Sequence, residues 1–196
     1  MIYFLNRFAN LLWKIDLCQM WLISLLFLPL SSALLTIPYG IQYESVVKDD
    51  LKSECSLCYE DSYHGITYST HIVSCAGPVL FVGAQRGTVW FWPWETREMH
   101  VGAFALASAV HKTTALNTPH LSNGVYWYFT PGKSFGFLKD TDLQQNPAGD
   151  TGRTNIKARL SWNLDGHLGH RAGIYIELEN KPCQFRKFIY NCPNNF

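Results

Sequence analysis

The chain has 196 residues, with 16 Lys and Arg against 15 Asp and Glu and a net charge of +1. This balance leaves no basic footprint for nucleic acid, no polybasic patch for anionic lipid and no acidic tail. The length suits one domain with a full hydrophobic core better than two.

Residues 20–30, MWLISLLFLPL, are a short uncharged apolar run, preceded by Arg7 and Lys14 and followed by the small residues Ser31 and Ala33. This is the grammar of a signal peptide, with cleavage expected near Ala33. Asp16, close to the run, and the long approach to it make an uncleaved anchor the competing reading. Pro29 and the serines cut the run short of the roughly 20 residues a membrane span requires. The sequence therefore reads as a signal peptide over 1–33, a leader over 34–54 and a secreted, extracellular domain over 55–196. No membrane span remains after cleavage.

Cys18 leaves with the signal, so Cys55, Cys58, Cys75, Cys183 and Cys192 remain. In an oxidising compartment they form a disulfide framework with one thiol left over, and spacing alone leaves the pairing open. At least one bridge is expected from the first cluster or Cys75 to Cys183 or Cys192. Cys55-x-x-Cys58, with His64 and His71 downstream, also suits zinc or redox work. Zinc needs four ligands at defined spacing, however, and secretion favours bridges.

Beyond Glu54 the chain breaks into short aromatic and β-branched segments punctuated by turn residues. GITYSTHIVSC alternates in part, and GPVLFVGAQRGTVWFWPW predicts two strands joined through GAQRG. HLSNGVYWYFTPGKSFGFL repeats the theme, with Asn123-Gly124 and Pro131-Gly132 as turn dipeptides. The stretch from Ala158 to Cys192 adds three more strands around an Asp165-Gly166 turn. The pattern predicts an all-β domain, a two-sheet sandwich of either jelly-roll-like or immunoglobulin-like topology. One short helix is expected within Gly102–Thr113, where GAFALASAVHKT is alanine-rich with helical spacing. The polar stretch from Lys139 to Asn155 predicts a surface loop.

Gly132-Lys133-Ser134-Phe135-Gly136 matches the nucleophile-elbow pattern of serine hydrolases, and Asp150 or Asp165 followed by His167 or His170 keeps the chain order of a triad. The elbow requires a helix after the serine, and FLKDTDLQQNPAG is too short and polar to supply one. The same Gly-Lys-Ser lacks the glycine a phosphate-binding loop needs at the position of Trp127. His167 and His170 with Asp165 hold metal-ligand chemistry without a ligand spacing. Asp140, Asp142 and Asp150 lack the run of a calcium loop. No cofactor or metal is called for.

The aromatic residues are the distinctive feature. Trp90, Trp92 and Trp94 share one face of an extended strand, as do Tyr126 and Tyr128 in GVYWYF, and both segments are apolar on both faces. One face fills a core; the other is either covered or left open as a platform for a glycan, whose C–H faces stack on such rings. The expected function is a non-enzymatic binding module that holds a glycan or an extracellular surface through these five side chains. The alternatives are a secreted serine hydrolase built on Ser134, Asp165 and His170, and an adhesive protein whose odd cysteine bridges to another chain.

Overall fold

The computed structural model describes residues 37–63, 65–86, 99–115, 118–141, 143, 145–146, 149–150, 158–166, 170–173, 175–177 and 185–194, all within the unit Leu35–Phe196. Two antiparallel sheets dominate it, so the all-β architecture is present and forms a sandwich. The first sheet contains β1 (Ile41–Tyr43), β2 (Ser56–Ser62), β3 (Val79–Arg86), β4 (Val101–Leu106) and β13 (Phe185–Cys192), in the order β1-β4-β3-β13-β2. The second contains β5 (His120–Ser122), β6 (Val125–Thr130), β7 (Ser134–Leu138), β10 (Arg159–Asn163), β11 (His170–Ala172) and β12 (Tyr175–Glu177), in the order β12-β11-β10-β7-β6-β5. A small hairpin, β8 (Gln145–Asn146) with β9 (Gly149–Asp150), lies beside β10 and β11.

Among the described residues three short helices accompany the sheets: α1 (Lys48–Glu54), α2 (Ser69–Ser74) and α3 (Ala107–Val110). The helix expected over Gly102–Thr113 is confined to α3. The preceding residues form β4, because Ala103 and Ala105 face the core while Gly102 pairs with Gly83 of β3. Gly83 to Arg86 of GAQRG are not a loop but continue β3, which pairs with β4 and β13, and Gly87 with the strand expected after it lies outside the described residues. Gly83 and Gly102 make room for the Phe81 ring, which occupies the space that a Cβ on either would need. GITYSTHIVSC is a loop followed by α2 rather than a strand. Residues 41–54, read from the sequence as a leader, contribute β1 to the first sheet, α1 with its buried Leu51, and the approach to the bridged Cys55.

The main core lies between the sheets, where Leu80, Val82 and Ile189 meet Trp127, Phe135, Phe137 and Trp162. The outer faces are covered as well. Phe81, Phe104, Phe188 and Tyr190 on the outside of the first sheet pack with Leu51, Ile37 and Val46. Tyr128 and Leu138 on the outside of the second pack with Leu143. This double burial explains why the strands are apolar on both sides.

Turn chemistry follows the sequence. Asn123-Gly124 and Asp165-Gly166 take positive φ at both residues, and Gly132 does so after Pro131. Cys55 bridges Cys192, tying the first cluster to the last strand, and Cys58 bridges Cys75. Such bridges are typical of extracellular proteins. Among the described residues no helix is long and apolar enough to cross a membrane.

Candidate functional site

Strand register brings several connections to one end of the sandwich. Ser62, Arg186 and Gln85 are aligned across three strands, so the chain leaves β2 and β3 at the same end. In the second sheet Thr130, Ser134 and Asn163 are aligned likewise, so the 131–133 turn and Asp165 lie at one end of that sheet. Tyr63 and residues 65–69 join the two. Tyr63 N–H donates to the Phe185 carbonyl at 3.0 Å, Thr67 forms a bridge with Leu164, and Asp165 N–H donates to the Thr67 carbonyl at 2.9 Å.

This clasp is polar and well satisfied. Trp162 Nε1–H donates to Tyr63 Oη at 3.3 Å, and Tyr63 O–H donates to the Arg171 carbonyl at 3.3 Å. The Asp165 carboxylate accepts from Ser69 N–H at 3.1 Å, from the Ser69 hydroxyl and from Gly132 N–H at 2.9 Å. Lys187, fully buried on the inner face of β13 between Phe185 and Ile189, donates from Nζ to the Gly65 carbonyl and to Thr67 Oγ1, each at 2.6 Å. Burying an ammonium requires such partners.

Thr67 Oγ1 lies 3.0 Å from Tyr59 Oη, and Tyr59 O–H donates to Asp61 Oδ2 at 3.4 Å. An ammonium can only donate. With Tyr59 donating to Asp61, the Thr67 hydroxyl donates to Tyr59, and one polarity runs from Lys187 through Thr67 and Tyr59 to Asp61. Burial raises the Tyr59 phenol to about 12, the hydrogen bond with Thr67 opposing and Asp61 reinforcing the shift, so this link of the chain is neutral at physiological pH.

Above Tyr59 stands a ladder of rings. His71 stacks on Tyr59 with centroids 4.9 Å apart, and Tyr68 meets His71 edge-on at 5.4 Å. The Tyr68 backbone N–H donates to His71 Nδ1 at 3.3 Å, which fixes the imidazole against the loop. Tyr68 and its neighbour Ile66 are 48 % and 46 % exposed, whereas Tyr63 and Thr67 are fully buried. The loop therefore anchors alternate residues inward and presents Ile66 and Tyr68 outward.

The residues singled out from sequence distribute differently. Trp90, Trp92 and Trp94 lie outside the described residues. Tyr126 is partly buried and Tyr128 is 1 % exposed, its ring packed with Leu138 and Leu143. Tyr128 is therefore not available as a platform: Leu143 packs over it on that face.

The candidate triad does not assemble. Ser134 is 3 % exposed on the outer face of the second sheet, on the side of Ser161 and Asn163. His170 pairs with Trp162 on the core face and meets Tyr63 edge-on at 5.4 Å. Hydroxyl and imidazole are thus separated by the sheet, and the Asp165 carboxylate caps the Ser69 and Gly132 amides. His167 and Asp142 lie outside the described residues, as does the Asp150 side chain. Cys55 and Cys58 are each committed to a bridge, and Asp140 pairs with buried Arg159 at 3.6 Å.

Sequence reasoning missed Tyr59, Tyr68 and Lys187, and weighed His71 only as a zinc or redox partner of Cys55 and Cys58. Two signals were present: an ammonium at a core-facing position of the alternating FRKFIY strand, and the i,i+3 spacing of Tyr68 and His71 ahead of Cys75. Comparison with known protein families, curated proteins and solved structures finds no match for this chain.

Proposed function

We propose that the protein is a secreted, non-enzymatic binding module that holds a glycan on the aromatic surface at the clasp end of its sandwich. One observation carries this reading: the half-exposed Tyr68 ring crowns the His71–Tyr59 ladder. A pyranose presents C–H groups to the open ring, while Ser69 and the carboxylates of Asp61 and Asp165 offer partners for its hydroxyls. Trp90, Trp92 and Trp94 lie outside the described residues and stay in the reading on the sequence alone; Tyr128 drops out, and Tyr68 takes its place.

The test is a glycan array on the secreted protein. Tyr68→Ala is expected to lose retention while its melting temperature stays within about 2 °C of wild type, as suits a half-exposed side chain. Equal retention by the variant and the wild type removes Tyr68 from the site and the reading with it.

A second reading, adhesion through an intermolecular bridge, draws on the cysteine pairing. Cys55, Cys58, Cys75 and Cys192 pair among themselves, and Cys183 is the one left after Ala33. A dimer on non-reducing gels that Cys183→Ser abolishes would support it.

A further inference from the structure

We propose that buried Lys187 is the positioning residue of the ligand-presenting loop, acting on Tyr68 through its hydrogen bonds to Gly65 and Thr67. This inference rests on the glycan-binding reading for its consequence and on the clasp geometry for its substance.

Three features carry it. Lys187 is fully buried at an inner-face position of β13 where its neighbours on that face, Phe185 and Ile189, are core residues, so an apolar side chain would suit the site on packing grounds. Two of its hydrogen bonds reach the same short loop, at Gly65 O and Thr67 Oγ1, on either side of the outward-pointing Ile66. The contacts then run without a gap to the surface: Thr67 Oγ1 to Tyr59 Oη, the Tyr59 ring to His71, and His71 to Tyr68 by both a ring contact and a backbone hydrogen bond.

Gly65 itself shows how tightly the turn is drawn. A Cβ at this position would overlap the Asp61 carboxylate. The loop thus packs against the last members of the chain that Lys187 begins. A buried charge that specifies one conformation of a functional loop is a use to which such groups are suited, even where an apolar residue would stabilise the fold as well.

The test is amide hydrogen exchange on the full secreted chain, combined with melting temperature and array retention. Lys187→Met is expected to speed exchange in residues 65–69 by about tenfold or more, since hydrogen bonds from a charged donor are lost. Exchange in β3 and β13 should remain slow, and glycan retention should fall. Thr67→Val, which removes the hydroxyl that accepts from Lys187 and donates to Tyr59 but keeps the ammonium and its bond to Gly65, should show the same local effect in smaller measure, and Thr67→Ser should restore wild-type exchange. Should Lys187→Met fail to fold, the Thr67 pair decides the matter. Unchanged exchange in 65–69 in the folded variants overturns the positioning role, as does uniform acceleration across the domain. If wild type binds no glycan, the exchange result still judges Lys187, and the failure then belongs to the ligand reading alone.

Discussion

The Tyr128 ring lies across Gly136, its direct partner on the neighbouring strand. A Cβ on Gly136 would stand 2.6 Å from the Tyr128 hydroxyl oxygen and 2.1 Å from the Leu160 carbonyl oxygen. The backbone oxygen cannot swing aside as a flexible side chain would. Gly136→Ala should therefore destabilise the domain by about 1–3 kcal/mol, the range for overpacking, in urea denaturation. An unchanged midpoint would show that the ring and strand yield freely.

The same covered face sets the outcome for Tyr128→Ala. Its ring is core, so truncation should cost about 3–5 kcal/mol, in line with large aromatic deletions. Retention of any glycan by the surviving folded fraction should match wild type. This is the reverse of the pattern expected for Tyr68→Ala, and a swap of the two patterns would return the platform to β6.

The two bridges should differ in worth. Cys55–Cys192 closes a separation of 137 residues and Cys58–Cys75 one of 17. Loop-closure entropy assigns about 5 kcal/mol to the first and about 3 kcal/mol to the second. Replacing Cys55 and Cys192 by Ala should lower the urea midpoint more than replacing Cys58 and Cys75. The opposite order would mean that the short bridge, which fastens the end of α2 to β2, carries native-state contacts beyond its entropy.

Alternation and turn dipeptides made the two-sheet architecture legible, because side-chain period and positive-φ turns are local properties of the chain. Asn123-Gly124 and Asp165-Gly166 are turns for the reason their residue types suggest. Gly83 misled because a mid-strand glycine and a turn glycine look alike until the ring that covers it is known; Phe81 supplies that ring from within the same strand. The segment 41–54 lacked alternation because β1 is only three residues long and α1 buries little beyond Leu51. The candidate site was the least legible. Lys187 and Thr67 are 120 residues apart in sequence, and no local pattern announces a hydrogen bond between them.

Acid should weaken the fold through three histidines. Burial is the leading cause that lowers the pKa of His100, His111 and His120 from the ordinary 6.5, outweighing Glu44 at His100 and nearby carbonyls at His111 and His120. Below pH 6.5 the unfolded chain takes up protons that the folded imidazoles still refuse. Stability therefore falls as pH drops through 6.5 towards the folded values and is flat with respect to these groups above it. Urea midpoints at pH 7.5 and pH 5.5 should show the decline, and His111→Gln with His120→Gln should reduce it. Equal slopes in the variant and wild type would exclude those two rings as its source.

Alkali acts with the opposite sign at two phenols. Burial raises both Tyr59 and Tyr190 from 10.0 to about 12, with Asp61 adding to the shift at Tyr59 and Glu60 at Tyr190, while Thr67 and Arg186 respectively oppose it. The folded state holds these protons where the unfolded state has released them. The stability they contribute is fully present below pH 10 and is lost as pH rises from 10 through about 12. Ultraviolet titration of phenolate should resolve a late class of tyrosines that Tyr59→Phe and Tyr190→Phe each diminish. In Tyr59→Phe the hydroxyl link between Thr67 and Asp61 is also gone, so exchange in residues 65–69 should quicken there and not in Tyr190→Phe. If both variants leave the loop as slow as wild type, the stack and Lys187 hold it without help from the phenol, and the hydrogen-bonded chain ends at Thr67.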